Sequence, residues 1–533
     1  MSQPIDSDRG IDPIALEIFW TRIISAVDEA AAAFVRTSFS TVVREANDYA
    51  VILTDRTGRS VAQSTLSIPS FVATVPATIK TFIAEFGLDD MREGDAFITN
   101  DPWLATGHLN DATMAMPVFR DGRVIGFAGV VSHLPDIGGR LRNASNREIY
   151  EEGLQLPPVR FLHAGQVDEL LIKLIRANVR VPEETVGDLW AQVACCRSLG
   201  DQLNALLDDS AIAFTAFCDE SIERTERSVR QAIAAIPDGT YRSVIENDGP
   251  PEVPGGIVRL ECAVTIAGDS IAVDYAGSTE QVHMAINTVL SYTHSYTAYA
   301  LKTLLAPWAR NNEGGLLPIS VAAPEGSILN PRRPAPCGAR ASIGHLLPPA
   351  IYGALAAVIP DQVLAAPGSP SNVVQLANLG GSRRYSVNAF IGAGLGASSA
   401  RDGLPAISFP SNLANMPIEV LESDVPVEVV RRSIRRGSGG RGMRNGGDGI
   451  VFELVMRGDA AARAAFTVNR IRCPAPGLNG GEAGAPARLE INGAPIDPAG
   501  QYVVRCGDRI LVESAGGGGF GEPAEQQRER RHS

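Results

Sequence analysis

A chain of 533 residues is too long for a single core and predicts roughly two to four domains. With 45% hydrophobic and 20% charged residues it has the make-up of a globular protein, and a net charge of −13 argues against nucleic acid as a partner. The start Met1-Ser2-Gln3-Pro4 lacks a basic flank and an apolar run, the apolar stretch 346–359 is too short to span a bilayer, and seven cysteines without C-x-x-C spacing suit a reducing compartment, so no membrane association and a cytoplasmic location are expected.

Asp12-Pro13 is a helix-start pair, and Leu16, Phe19, Ile23, Val27, Ala31 and Phe34 follow at helical spacing. Tyr49–Thr54 and Ser60–Gln63, joined by Asp55-Arg56-Thr57-Gly58, read as a hairpin with Asp48 at its entrance. Thr78–Phe86 predicts a short helix, and Asp95–Thr99 a strand. Met114–Phe119 and Val124–Val131, turned by Asp121-Gly122, form a second hairpin, so His133 falls just past a strand end. The segment 167–207 is helical with a break at Asn178, Arg180 and Pro182; Ser221–Ile236 is another helix, ended by Pro237-Asp238-Gly239. Strands follow at Tyr241–Glu246, Val258–Ile266 and Ile271–Tyr275, then helices at Ser291–Leu305 and His345–Val358 on either side of a Pro/Gly-rich loop. From Glu422 onward the chain reads as strands and glycine-rich turns. The expected class is α+β, multi-domain, with helices and mainly antiparallel sheets and a glycine-rich β C-terminal part. The expected divisions are an N-terminal α/β metal-site domain (1–236), a central α+β domain (237–421), a β-rich domain (422–523) and a disordered tail (524–533).

Chemistry-bearing residues concentrate in Asn100-Asp101-Pro102, His108-Leu109-Asn110-Asp111 and Ser132-His133 through Gly139. Two of the seven histidines and four aspartates share about forty residues, the donor types that a borderline divalent metal takes. His108 and Asp111 are three apart, His133 comes from a strand end and Asp48 from the first hairpin, an N2O2 set drawn from three segments. The alternative is structural: Asp101 and Asp111 cap turns and His108 is a hydrogen-bonded loop residue. Asp136 is placed to hold the His133 tautomer or to start the turn at Gly138-Gly139, and Asn100 and Asp101 to orient the site or to end a strand. Arg435 to Gly442 offers either a backbone anion nest or a surface turn. There is no phosphate-binding G-x-x-x-x-G-K-[ST] loop, no H-E-x-x-H and no G-x-S-x-G, and the formal G-x-G-x-x-G of Gly437, Gly439 and Gly442 opens no helix.

Taken in order, Asp12-Pro13-Ile14, Arg44-Glu45-Ala46-Asn47-Asp48-Tyr49, the three strings above, Asn178-Val179-Arg180, Gly187-Asp188-Leu189-Trp190, Asp274-Tyr275-Ala276-Gly277-Ser278, Ala323-Pro324-Glu325-Gly326, Ser438-Gly439-Gly440 and Gly516 to Gly521 resemble the hydantoinase B/oxoprolinase family over residues 12–523. That family includes the B-type components of ATP-dependent hydantoinases, lactamases and 5-oxoprolinases, and related components of acetone and acetophenone carboxylases. The resemblance implies a metal (Zn, Mn or Fe) on Asp48, His108, Asp111 and His133, with Asp136, Asn100 and Asp101 in supporting catalytic roles. It further implies a hetero-oligomer in which a hydantoinase A-type partner binds ATP with Mg and phosphorylates a small cyclic amide that this chain then opens. The alternatives are a component of a ketone carboxylase and a non-catalytic stabilising partner. Two departures stand out: the neighbours of Asp48 differ from the Glu-Arg-x-Asp-Phe-Ser of many relatives, and Leu134 stands where many carry a second histidine.

Overall fold

The computed structural model describes residues 11–142, 144–369, 372–380 and 384–523; the tail read at 524–533 lies outside them. Helix α1 (Pro13–Thr37) opens as its sequence dictates, with the Asp12 carboxylate accepting from the Ala15 N–H. Its buried stripe, from Leu16 through Phe34, faces the first sheet, each large side chain contributing about 1.5–3 kcal/mol of burial. A short helix α2 (Thr41–Arg44) leads into the strands β1 (Tyr49–Asp55) and β2 (Ser60–Gln63). Helix α3 (Phe71–Phe86) starts seven residues before the expected Thr78 and runs through Pro76. Pro76 leaves the half-exposed Val72 carbonyl without its helical donor, and burial of Phe71, Val75 and Ile79 outweighs that loss.

The strands β3 (Ala96–Thr99), β4 (Asp111–Arg120), β5 (Arg123–His133), β6 (Val159–His163) and β7 (Gln166–Val167) complete an antiparallel sheet in the order β2-β1-β5-β4-β3-β6-β7. Helices α4 (Glu169–Asn178) and α5 (Pro182–Asp208) follow. Along β1, Val51 and Leu53 join the core under α1 and α5, whereas Ala50 and Ile52 join the one under α3. Both faces are covered, so the strand is buried throughout and its run from Tyr49 to Leu53 carries no polar alternation.

Helix α6 (Phe214–Ile233) connects to β8 (Gly239–Asp248), β9 (Ile257–Ala267), β10 (Ser270–Asp274) and, after α7 (Leu290–Leu305), to β11 (Ile319–Ala322). They form the sheet β11-β10-β9-β8, in which only β10–β11 is parallel, and α7 packs beside α9 (Leu347–Leu355), just after α8 (Ala341–Gly344). The expected single helix 345–358 is shorter because it follows α8 as a separate turn. The remaining elements are β12 (Asn372–Asn378), β13 (Ser386–Ile391), α10 (Ile418–Asp424), β14 (Val427–Arg435), β15 (Gly449–Met456), β16 (Ala462–Thr467), β17 (Arg488–Ile491), β18 (Ala494–Pro495), β19 (Gln501–Val504) and β20 (Arg509–Glu513). They pair as β13-β12-β16-β19 and β14-β15-β20-β17-β18, so one sheet draws strands from both sides of residue 422. The architecture is therefore α+β, built from helices and several mainly antiparallel sheets.

The glycine-rich segment 516–519 is a packing device. Gly516 donates to Ala485, Gly517 to Gly447, Gly518 to Ala366 and Gly519 to Glu482, so the direction of donation returns after three residues, as in a polyproline-type helix. Backbones on every side come so close that a Cβ on Gly517 would sit 2.2 Å from the Leu395 carbonyl oxygen. Gly517→Ala is expected to cost at least about 1–3 kcal/mol, read as a lowered Tm.

Candidate metal centre

Register builds this site. β4 and β5 run three residues and two residues further than expected, to Asp111 and His133, which are direct cross-strand partners. The extension is secured from α5, where the buried Gln192 amide donates both to the Ala112 carbonyl and to Ser132 Oγ. Tyr49 pairs with Ser132, and the His133 N–H donates to the Asp48 carbonyl at 3.1 Å. Asp48, His133 and Asp111 thus stand in a row at one end of β1-β5-β4. His108 comes from the turn just before β4. That turn requires Gly107, which has φ +96° and sits where a Cβ would meet Arg340 Cδ at 2.8 Å.

All four side chains are buried. Asp111 Oδ2 is saturated by Arg340 Nη2 at 2.8 Å and Thr106 Oγ1 at 2.8 Å. Its Oδ1 lies 2.9 Å from His133 Nδ1 and 2.7 Å from His108 Nε2. His108 Nδ1 faces the Gly338 carbonyl at 3.2 Å and Nε2 faces Asp111 Oδ1 at 2.7 Å, so each ring nitrogen has an acceptor for the proton, and a metal on Nε2 would leave the proton on Nδ1. Burial, reinforced by Arg340, pushes the His108 pKa down to about 3, so the ring is neutral. His108 Nε2 makes no hydrogen bond despite its distance from Asp111, and His133 Nε2 is likewise buried without one. With the proton on Nδ1, Nε2 and Oδ1 turn two lone pairs toward one point, as ligands of a shared cation do. The donor atoms of His108, Asp111 and His133 all lie within 4.8 Å of one another, and the chemistry of this set fits a divalent metal.

Asp48 lines the same cavity, with Oδ2 3.9 Å from His133 Nδ1. Burial raises its pKa to about 6, against the pull of His133. Burial also pushes Asp111 upward, but the two imidazoles and the Arg340 guanidinium around it prevail and hold its carboxyl well below the ordinary range. The cavity has a volume of about 30 Å³, room for one ion or water. Its wall holds residues that sequence reading missed: Arg142, Arg340, Tyr292, Tyr296 and His345. Arg340 lies 4.2 Å from the Tyr292 ring centre, and His345 Nε2 is 3.0 Å from the Tyr296 hydroxyl. Only the scarcity of histidines could have drawn attention to His345, which in isolation reads as structural.

The three expected supporting residues are placed elsewhere. Asp136 does not hold His133: its carboxylate takes the Gly138 N–H at 3.0 Å, the Arg180 N–H at 2.5 Å and Arg180 Nη1 at 2.5 Å, clasping the 136–139 turn. Asn100 fastens its loop to the Leu109 and Leu154 carbonyls and the Leu156 N–H. Asp101 pairs with Arg333, whose guanidinium lies 4.3 Å from the Trp103 ring centre, and with Gln155. None of the three lines the cavity, and their polar atoms are engaged by these partners, Asn100 holding the His108–Asp111 turn through Leu109. The anion nest read at 435–442 exists and holds the chain's own carboxylate, Asp448, which accepts from Gly437 and Gly439. Leu134 is buried in the core of the first sheet.

Behind His108, the buried Glu152 accepts from the Cys337 and Gly338 N–H groups at 2.9 and 2.7 Å and so fixes the carbonyl that orients His108. Burial drives its pKa up to about 8, outweighing those two bonds. A folded-state pKa above the unfolded one favours folding at low pH, and the benefit is lost as pH climbs from about 4.5 to 8. Glu152→Gln is therefore expected to flatten the fall in stability across that window, as measured by denaturant midpoints at pH 5 and pH 8.

An α+β chain whose main sheet gathers two imidazoles and two carboxylates at one end, beside the buried Arg340 and the half-buried Arg142, carries the donor set of a candidate metal centre. The sequence profile of the family described as hydantoinase B/oxoprolinase matches residues 12–523, and the chain belongs to that family. The chain is 29% identical to the beta chain of the caprolactamase of Pseudomonas jessenii, covering 96% of this chain and 91% of that one. It is 27% identical to the B component of a putative D-/L-hydantoinase of Pseudomonas sp. strain NS671, over 98% and 92% of the two chains. The 5-oxoprolinase of Dictyostelium discoideum is 27% identical over 96% of this chain, which spans 40% of that longer protein. Among solved structures, the ATP-dependent caprolactamase from Pseudomonas jessenii superposes with a TM-score of 0.89 at 28% identity, over 97% and 93% of the chains. Acetone carboxylase in its nucleotide-free form shares the fold, with a TM-score of 0.85 at 20% identity over 96% and 76%. No helix among the described residues is long and apolar enough to cross a membrane.

Proposed function

We propose that this chain is the metal-bearing B-type component of an ATP-dependent amidohydrolase that opens a small cyclic amide of the hydantoin, 5-oxoproline or lactam type. An A-type partner binds ATP with Mg and phosphorylates the amide, which agrees with the lack of a phosphate-binding loop in this sequence. The reading rests on one observation, the convergence of buried donor atoms of His108, Asp111 and His133 within 4.8 Å of one another. Asp48, His108, Asp111 and His133 hold a divalent Zn, Mn or Fe ion, which when bound supplies Lewis-acid polarisation of the reacting carbonyl.

The other residues prepare that place. The Gly338 carbonyl would accept from His108 Nδ1 once a metal occupies Nε2, and Arg340 and Thr106 keep Asp111 ionised and oriented. His345 lies on the cavity wall with its Nδ1 unpartnered, and burial pushes its pKa down to about 3, which keeps the ring neutral. The test is to purify the chain with its A-type partner and to measure metal content beside ATP-dependent opening of hydantoin, 5-oxoproline and caprolactam. Near-stoichiometric metal and ATP-coupled ring opening are expected. Less than about half an equivalent of metal after gentle purification, with turnover intact, would remove the metal from the proposal.

A further inference from the structure

A second and larger cavity, of about 330 Å³, lies across α7 from the metal centre. Tyr292 and Tyr296 of that helix face the metal cavity, whereas Ser295, Ala298, Tyr299 and Lys302, at helical spacing on the adjoining stripe, line the second one. The segments 67–71 and 408–413 contribute to both walls.

The lining is chemically one-sided. It contains two cations, Lys302 and Arg310, and no carboxylate. Among the described residues Lys302 has no ion-pair partner, and burial alone pushes its pKa down to about 8. Arg310 spends Nη2 on Glu17 and Thr21 and lies 4.7 Å from the Trp20 ring centre, but its Nη1 is buried without a hydrogen bond. Gln63, 8% exposed on β2, has a buried Oε1 with no donor. A buried charge or amide oxygen without a partner carries a desolvation cost that a complementary ligand removes. Phe409, Tyr299 and Val72 add an apolar surface, and the volume suits a small metabolite.

We propose that this cavity binds a small carboxylate that also carries an N–H group, the carboxylate taken by Lys302 and Arg310 and the N–H by Gln63 Oε1. Both a cyclic amide bearing a carboxylate and the amino acid released by ring opening have this chemistry. The assignment of the ligand as substrate or product rests on the function proposed above; the binding site itself does not.

The test is calorimetric titration of the purified chain with 5-oxoproline, 5-oxoproline methyl ester, 6-aminohexanoate and neutral caprolactam. Binding of 5-oxoproline at least tenfold tighter than of its ester is expected, with the same loss on Lys302→Gln. Binding of 5-oxoproline without 6-aminohexanoate makes the ligand the substrate, and the reverse makes it the product. The comparison of acid with ester needs no variant and stands even if Lys302→Gln fails to fold. In His108→Ala, carboxylate binding should persist; its loss there would move the ligand to the metal centre and overturn the site. Equal affinity for acid and ester, or no binding of either carboxylate, would overturn it as well. Neither result touches ATP-dependent ring opening, which is measured separately with the partner.

Discussion

Replacing His108 by alanine is expected to strip the metal from the folded protein and to lower kcat/KM by about 10³-fold, from the several kcal/mol that a bound metal contributes and 1.36 kcal/mol per decade. The other half of this expectation concerns stability. In the metal-free protein the proton can sit on His108 Nε2 and meet Asp111 Oδ1 at 2.7 Å, a buried polar contact that alanine lacks. The other ring nitrogen faces the Gly338 carbonyl, which also receives Arg142 Nε at 2.9 Å and so keeps a donor when the ring is removed. Metal-free His108→Ala should therefore melt below the metal-free parent, and the metal-loaded parent should melt well above both. Elemental analysis, steady-state kinetics with the A-type partner and melting curves with and without chelator measure the three quantities. Full metal content and undiminished turnover in the variant would show that the centre is not where these residues place it.

The four proposed ligands are legible in the sequence because each lies beside a motif or a strand end, and strand ends are where a sheet delivers side chains to a cavity. What cannot be read is the register. One-residue slips exchange the faces of a strand, and nothing local to Ala112 or Ser132 says that Gln192, eighty residues away from Ala112, pins both. Arg142, Arg340 and His345 are hidden for the same reason: their role exists only where separate segments meet, and each alone is an ordinary charged or ring-bearing residue. Asp136 shows the opposite error. Its proximity to His133 along the chain suggests partnership, but a turn at Gly138-Gly139 directs its carboxylate to Arg180. Helix α3, expected from Thr78, begins at Phe71 and runs through Pro76, because buried side chains on both sides override the local cost of a proline. The α+β class follows from composition and periodicity, which survive such errors because they are summed over many residues.

Arg340→Met is expected to be the most destabilising single change at the centre, about 3–5 kcal/mol, because it leaves a buried carboxylate without its counter-charge. The guanidinium does three things that no other side chain duplicates. Nη2 meets Asp111 Oδ2 at 2.8 Å, Nε donates to the Thr106 carbonyl at 2.7 Å, and the plane lies 4.2 Å from the Tyr292 ring centre. It thereby ties the turn that carries His108, the first residue of β4 and helix α7 to one another. Lysine retains the charge but not the fork, so Arg340→Lys should recover only part of the loss. The charge component can be separated by pairing Arg340→Met with Asp111→Asn: if repulsion from the orphaned carboxylate dominates, the double variant will be more stable than Arg340→Met alone. The acid limb gives a second reading. A carboxylate held below its ordinary value contributes stability above that value and loses it as pH falls, so removing Arg340 should move the acid unfolding midpoint upward. Denaturant titrations of the four proteins of the cycle, with chelator present so that metal does not mask the pair, decide the matter. An Arg340→Met loss under about 1 kcal/mol would place this ion pair with the weak surface bridges and leave the orientation of Asp111 to Thr106.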